Sequence, residues 1–164
     1  MRAVRIGRFG GPEVLEVAEV AVPVPGPGEV LVQVAAAGVN FWDTEIREGL
    51  GPPGVAFPHV LGTDGAGVVT AVGDGVPRDR VGERVVVYAG VTCGSCAGCL
   101  AGTENRCTAK AYLGVHRPGS YAEAVVVPAG NALRYAGMSA PAAARIGIPY
   151  ATAYHLLVLS LIHI

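Results

Sequence analysis

Lysine is almost missing from this chain: Lys110 is the only one in 164 residues, and charged side chains of all kinds make up 15%. The formal net charge is −1. That leaves no basic face to grip a phosphate backbone and no general attraction to an anionic membrane, so neither nucleic acid nor membrane is an expected partner. Cysteine is absent outside one short run. Internal repeats and low-complexity tracts are absent too. No secretory signal opens the chain, which points to a reducing, cytoplasmic setting. Also lacking is a G-x-G-x-x-G turn, which lets a pyrophosphate approach a helix N-terminus. The nearest stretch, Gly65-Ala66-Gly67-Val68-Val69-Thr70, has Thr in place of the third glycine and sits in a strand-like segment. It reads as barrel packing, and these 164 residues alone are expected to bind no nucleotide.

Glycine and proline, by contrast, are plentiful, at 24 and 12 residues. They punctuate several short strands, the pattern of a barrel or sandwich. Leu15–Val22 and Glu29–Val39 alternate as strands on either side of the turn-rich Pro23–Gly28 connector. Gly62–Gly73 reads as a glycine-broken strand pair, and Arg84–Gly90 and Ser120–Val127 as further strands. Phe41–Leu50 reads as a short helix. From Ser139 onward the chain turns helical, with Ser139 as a cap, Pro141 in the first turn and Pro149 starting a second helix. No charged residue occurs from Ile146 to Ile164. That length approaches a membrane span, but Pro149, two tyrosines and two histidines favour instead a helix of the buried kind that has lost its partners and is expected to expose apolar surface.

The four cysteines, Cys93, Cys96, Cys99 and Cys107, follow a C-x2-C-x2-C-x7-C pattern. Short spacings on glycine-rich turns bring four thiolates within reach of one tetrahedral Zn²⁺, and four protein ligands leave no position for substrate. The site is therefore structural. Two disulfides are the alternative in an oxidising compartment. An iron–sulfur cluster is another, although the ferredoxin run places its fourth Cys after three residues and before Pro. A nucleic-acid-reading zinc ribbon lacks its basic face.

Six segments together resemble the N-terminal half of the medium-chain dehydrogenase/reductase superfamily, the group of zinc-type alcohol dehydrogenases and quinone oxidoreductases. They are Gly11–Val17, Pro25–Asn40, Pro58–Val76, the cysteine lobe, Gly114–Asn131 and Ala142–Leu157. The resemblance implies a mainly β, GroES-like, partly open barrel with short helices over residues 1–130, carrying a structural zinc lobe at 91–108. Residues 131–164 are implied to be a linker and first helices leading toward a Rossmann domain. The chain stops before that domain's glycine-rich turn, so it is expected to be inactive alone. Leu159–Ile164 fit the family poorly and read as sequence foreign to it.

Zinc-using members of that family bind their catalytic ion with Cys, His and a later Cys or carboxylate. The corresponding positions here hold Asn40, Thr63 of Gly62-Thr63-Asp64, and Ile148. Amide and hydroxyl are poor zinc ligands beside thiolate and imidazole. The resemblance therefore implies the zinc-independent branch: reduction of quinones or α,β-unsaturated carbonyls by hydride from NADPH, with small-molecule substrates and a homodimeric whole protein. Asn40, Thr63 and Asp64 are its candidate catalytic residues, and Thr152 the candidate cofactor contact. Each has a structural alternative. Asn40 also suits a helix cap, and Asp64 a turn. Asp43 suits the first turn of a helix and is read as structural. His59 is expected to orient a loop, His116 to be structural, and Tyr88, Tyr121 and Trp42 to be core or pocket wall. A zinc-dependent alcohol dehydrogenase and a non-enzymatic GroES-like or zinc-lobe binding module stand as the alternative functions.

Overall fold

A computed structural model describes residues 1–160. Residues 161–164, part of the 131–164 stretch and of the Leu159–Ile164 tail, lie outside the described residues. Among the described residues, ten strands form three sheets. In chain order they are β1 (Arg2–Ile6), β2 (Leu15–Glu19), β3 (Glu29–Gly38), β4 (His59–Val60), β5 (Asp64–Val72), β6 (Arg84–Val87), β7 (Gly90–Val91), β8 (Ala111–Tyr112), β9 (Ala124–Pro128) and β10 (Ala132–Arg134). The largest sheet is antiparallel, in the order β10-β6-β5-β3-β9. A smaller one, β2-β1-β4, joins it through the Ala3–Ala122 bridge and the Val4 N–H bond to the Tyr121 carbonyl. The result is the mainly β, curled half-barrel of a GroES-like fold.

Alternation in β3 puts Val30 and Val32 on the inside, where they meet Val69, Val85, Val87, Val125 and Val127 in the main core. Burying one such valine is worth about 1.5–3 kcal/mol, so this valine face supplies much of the driving force for closing the sheet. A second core of Ile6, Ile46, Leu61 and Val115 lies beneath helix α1 (Phe41–Glu48). Trp42 joins it edge-on to Tyr112, with ring centroids 5.2 Å apart.

Glycines explain one difference from the sequence pattern. Gly62–Gly73 is not a strand pair; its residues 64–72 form the single strand β5. Gly67 marks close approach, since a Cβ there would collide with the Gln33 carbonyl of β3. The glycines thin the strand where two backbones converge and do not turn it. Asp64 is accordingly not a turn residue: it opens β5 and is fully buried.

The C-terminal segment also differs in detail. Ser139 caps α2 (Ala140–Ala143), its Oγ accepting from the Ala142 N–H at 3.4 Å. Pro149 does not begin a helix but lies inside a widened i→i+5 turn, Ile146–Tyr150. Two donors are unavailable to a regular helix there. Proline has no N–H, and Ile148 gives its own to Asp64. A helical turn, α3 (Ala151–Tyr154), and a second widened turn, His155–Leu159, follow. Tyr150, Tyr154, Leu157, Val158 and Leu159 are exposed on this segment. Among the described residues, no helix is long and apolar enough to cross a membrane.

Candidate active site and candidate metal centre

Asn40 sits at the end of β3 and at the N-cap of α1, which places it beside the start of β5. Its side-chain amide donates to Thr63 Oγ1 at 3.1 Å and to Asp64 Oδ2 at 2.9 Å. Both of its N–H groups are therefore spent on the two other candidate residues. The structure brings Asn40, Thr63 and Asp64 into one hydrogen-bonded group, and all three are buried. Asn40 occupies the cap position and the site at once.

Asp43 is the hub of this group and more than a helix-dipole residue. It does serve the helix start, accepting the Asn40 main-chain N–H at 2.8 Å. It also accepts from the Thr63 N–H at 3.1 Å, the Thr63 hydroxyl at 2.9 Å and the Tyr121 hydroxyl at 2.8 Å. Four donors on one carboxylate leave its two oxygens well satisfied. Ser120 closes the group, donating to the Asp64 carbonyl at 2.6 Å. Tyr121 and Ser120 lie far from Asn40 in sequence, and nothing local marks them. Asp43 had a readable signal, an acid three residues after an Asn cap.

Burial pushes the carboxyls of Asp43 and Asp64 above the ordinary range, and at Asp64 the charge of Asp43 adds to it. Burial and the same neighbour raise the Tyr121 phenol, which therefore stays protonated and donating.

Thr152 stands apart from this group. It is exposed on α3 and lines a cavity of about 350 Å³ with Tyr88, Gly147, Ile148, Ala151 and His155. Ile148 connects the two places, because its N–H reaches Asp64 Oδ1 at 2.9 Å. Gly147 is required there: a Cβ would collide with that same oxygen. His59 is buried in β4 opposite Ile6, with Nε2 unpartnered and its pKa lowered by burial. His116 is structural, its Nδ1 accepting the Tyr112 N–H at 3.0 Å.

The four cysteines lie on a lobe between β7 and β8, carried by a short helical turn (Ala97–Leu100) and a 3-10 turn (Glu104–Arg106). All are free thiols. Their Sγ atoms lie within 4.8 Å of one another, with Cys96–Cys99 at 3.5 Å, Cys93–Cys107 at 3.6 Å and Cys93–Cys99 at 4.0 Å. Sulfurs around a tetrahedral Zn²⁺ at about 2.3 Å stand roughly 3.8 Å apart, so the set fits such an ion. The Cys96 N–H points at Cys93 Sγ and the Cys93 N–H at Cys107 Sγ, each at 3.4 Å. Main-chain N–H groups hold the Cys93 thiol down to about 6, while burial pushes Cys99 up to about 11.

Residues 26–137 match the family model for the alcohol dehydrogenase GroES-like domain. The chain belongs to this family, within the medium-chain dehydrogenase/reductase superfamily. Among curated relatives it is 46% identical over 121 residues to the starvation-sensing protein RspB of Escherichia coli (strain K12), covering 74% of this chain and 35% of that protein. It is 43% identical over 105 residues to a quinone oxidoreductase of Mus musculus, covering 63% and 32%. A crystal structure of an NAD-dependent alcohol dehydrogenase superposes with a TM-score of 0.91 at 47% identity, covering 96% of this chain and 46% of that one. The chain thus spans less than half the length of these relatives. Family members of both kinds, alcohol dehydrogenases and quinone oxidoreductases, are homologues.

Proposed function

We propose that residues 1–130 form the substrate-binding domain of an NAD(P)H-dependent oxidoreductase that reduces quinones or α,β-unsaturated carbonyls without a catalytic metal. Residues 131–164 then lead toward the nucleotide-binding half of the whole protein. One observation carries this reading. Where zinc-using relatives are expected to hold their ligands, Asn40 and Thr63 are hydrogen-bonded to each other and to buried acids, and Ile148 contributes only a main-chain N–H. No thiolate or imidazole is among them, so this corner is a poor host for zinc. The quinone oxidoreductase similarity supports the same branch.

In this reading the polar group occupies the corner where a Lewis acid would sit, with the Asn40 amide and the Thr63 hydroxyl turned toward each other and toward the two acids. Hydrogen bonds anchored on Asp43 and Asp64 lock the rotamers of Asn40 and Thr63 and preorganise the pocket floor at little reorganisation cost. Bound NADPH supplies hydride. The Thr152 hydroxyl and the walls formed by Tyr88 and Ile148 suit the edge of its nicotinamide ring. The cysteine lobe holds a structural Zn²⁺ that fixes the 91–108 excursion.

Metal stoichiometry tests the assignment. The reduced chain, loaded with Zn²⁺ and mildly dialysed, is expected to retain one equivalent. Retention of two equivalents would refute the metal-free pocket and favour a zinc-dependent alcohol dehydrogenase.

A further inference from the structure

Asp64 joins the two sides of this pocket. It heads β5 and is fully buried. Its Oδ2 accepts from the Asn40 amide at 2.9 Å, and its Oδ1 from the Ile148 N–H at 2.9 Å. Both oxygens are thus occupied, and Gly147 stands between Oδ1 and the adjoining cavity. A carboxyl so enclosed is built to hold segments together and not to meet a ligand. The segments it holds are the β3–α1 junction and the 146–150 turn.

Beyond Ile148 the chain has little else to fasten it. α2 is anchored through Ala143 and Ala144, buried with Ala66 and Val86. Gly147 is buried, and Ile148 packs half-buried against the main core. From Pro149 to Leu159 every residue is exposed. Among the described residues, no hydrogen bond links that stretch to the sheets. The course of α3 is therefore set at Gly147 and Ile148, and the Asp64 carboxylate meets both. Two glycines clear the way for it. A Cβ on Gly147 would strike Oδ1, and one on Gly38 of β3 would lie 3.1 Å from the Asp64 Cβ and 3.0 Å from the Ala144 carbonyl. Thr152 follows Ile148 by four residues, which puts the two on one helical face. Both line the cavity of about 350 Å³. Whatever fixes the Ile148 main chain thus fixes where Thr152 stands against the Asn40 corner.

We propose that Asp64 is a positioning residue: its carboxylate straps the face of Ile148 and Thr152 to the Asn40 corner, and so sets the separation across which hydride passes. The proposal rests on the reductase reading above, in which Thr152 faces the nicotinamide and Asn40 the substrate. Asp64 itself touches neither. Its leverage is geometric, because a misplacement of about 1 Å between reacting groups costs about 100-fold in rate.

Nitrogen-15 NMR of the zinc-loaded chain tests the strap first without any substitution. The Ile148 amide proton is expected to be protected from exchange, and an unprotected one overturns the proposal. Asp64→Asn then cuts the strap. A carboxamide accepts at one end only and turns an NH₂ toward a donor at the other. Depending on which way the new group faces, either the Ile148 amide exchanges about tenfold faster or the Asn40 side-chain amide signals shift. If both stay as in the parent, the proposal falls. In the whole protein, a single turnover at saturating quinone, followed by the absorbance of the reduced nicotinamide, separates positioning from stability. Loss of folded protein lowers the amplitude and leaves the rate constant alone. Asp64→Asn is expected to lower the rate constant itself, by about 10- to 100-fold. A parental rate constant, at full or reduced amplitude, overturns the proposal. Retention of two zinc equivalents would instead refute the reductase reading, and the Ile148 exchange would still report on the strap.

Discussion

Replacing Asp43 with Ala is the most direct challenge to the idea that the pocket floor is one interdependent polar unit. The substitution strands four donors: the N–H groups of Asn40 and Thr63 and the hydroxyls of Thr63 and Tyr121. At a site only 3% exposed, an unsatisfied donor costs about 1–3 kcal/mol. The costs do not add fully, because the hydroxyls rotate and water fills part of the gap. A net loss of about 3–5 kcal/mol follows, the range seen when one partner of a buried polar network is removed. Against a typical domain stability of about 5–15 kcal/mol, that leaves a marginal fold. Tyr121→Phe is the internal control. It removes one donor and leaves Asp43 three, so a loss of about 1 kcal/mol is expected. Urea unfolding followed by the fluorescence of Trp42, next in sequence to Asp43 and the only tryptophan, measures both with zinc at saturation. If Asp43→Ala costs no more than Tyr121→Phe, the hub role assigned to Asp43 is wrong.

Two further outcomes are expected. With zinc loaded, a chelator should raise hydrogen exchange first in residues 91–108, because on the reading proposed above zinc–thiolate bonds hold that lobe; uniform loosening across the barrel would contradict this. His59 should make the fold acid-sensitive. Its pKa is lowered by burial, so its contribution is present above the unfolded value of about 6.5 and is lost as pH falls through the folded one. Comparing parent with His59→Met at saturating zinc should show a steeper acid loss in the parent, and parallel curves would count against it.

The cysteine spacing, the strand alternation and the shift to helix after Ser139 were legible because each is a short-range pattern. A C-x2-C turn fixes its thiols within a few residues, and alternate valines in Glu29–Gly38 fix which face is buried. Family likeness extended that reach and singled out Asn40, Thr63 and Asp64. It did not reveal that Asn40 has no donor to spare, nor that Tyr121 belongs with them.

Sequence alone thus determined the class of fold, a four-cysteine lobe able to hold a metal, and the presence of Asn40, Thr63 and Ile148 in the pocket corner, since these depend on residue identity and neighbours along the chain. Tertiary structure alone decided which groups meet in that corner. Asp43, Asp64, Tyr121 and Ile148 come from four separate segments, and only their convergence out of water sets two acids against each other. The charge a carboxyl carries depends on who surrounds it and how little solvent remains, and neither quantity is local to the chain.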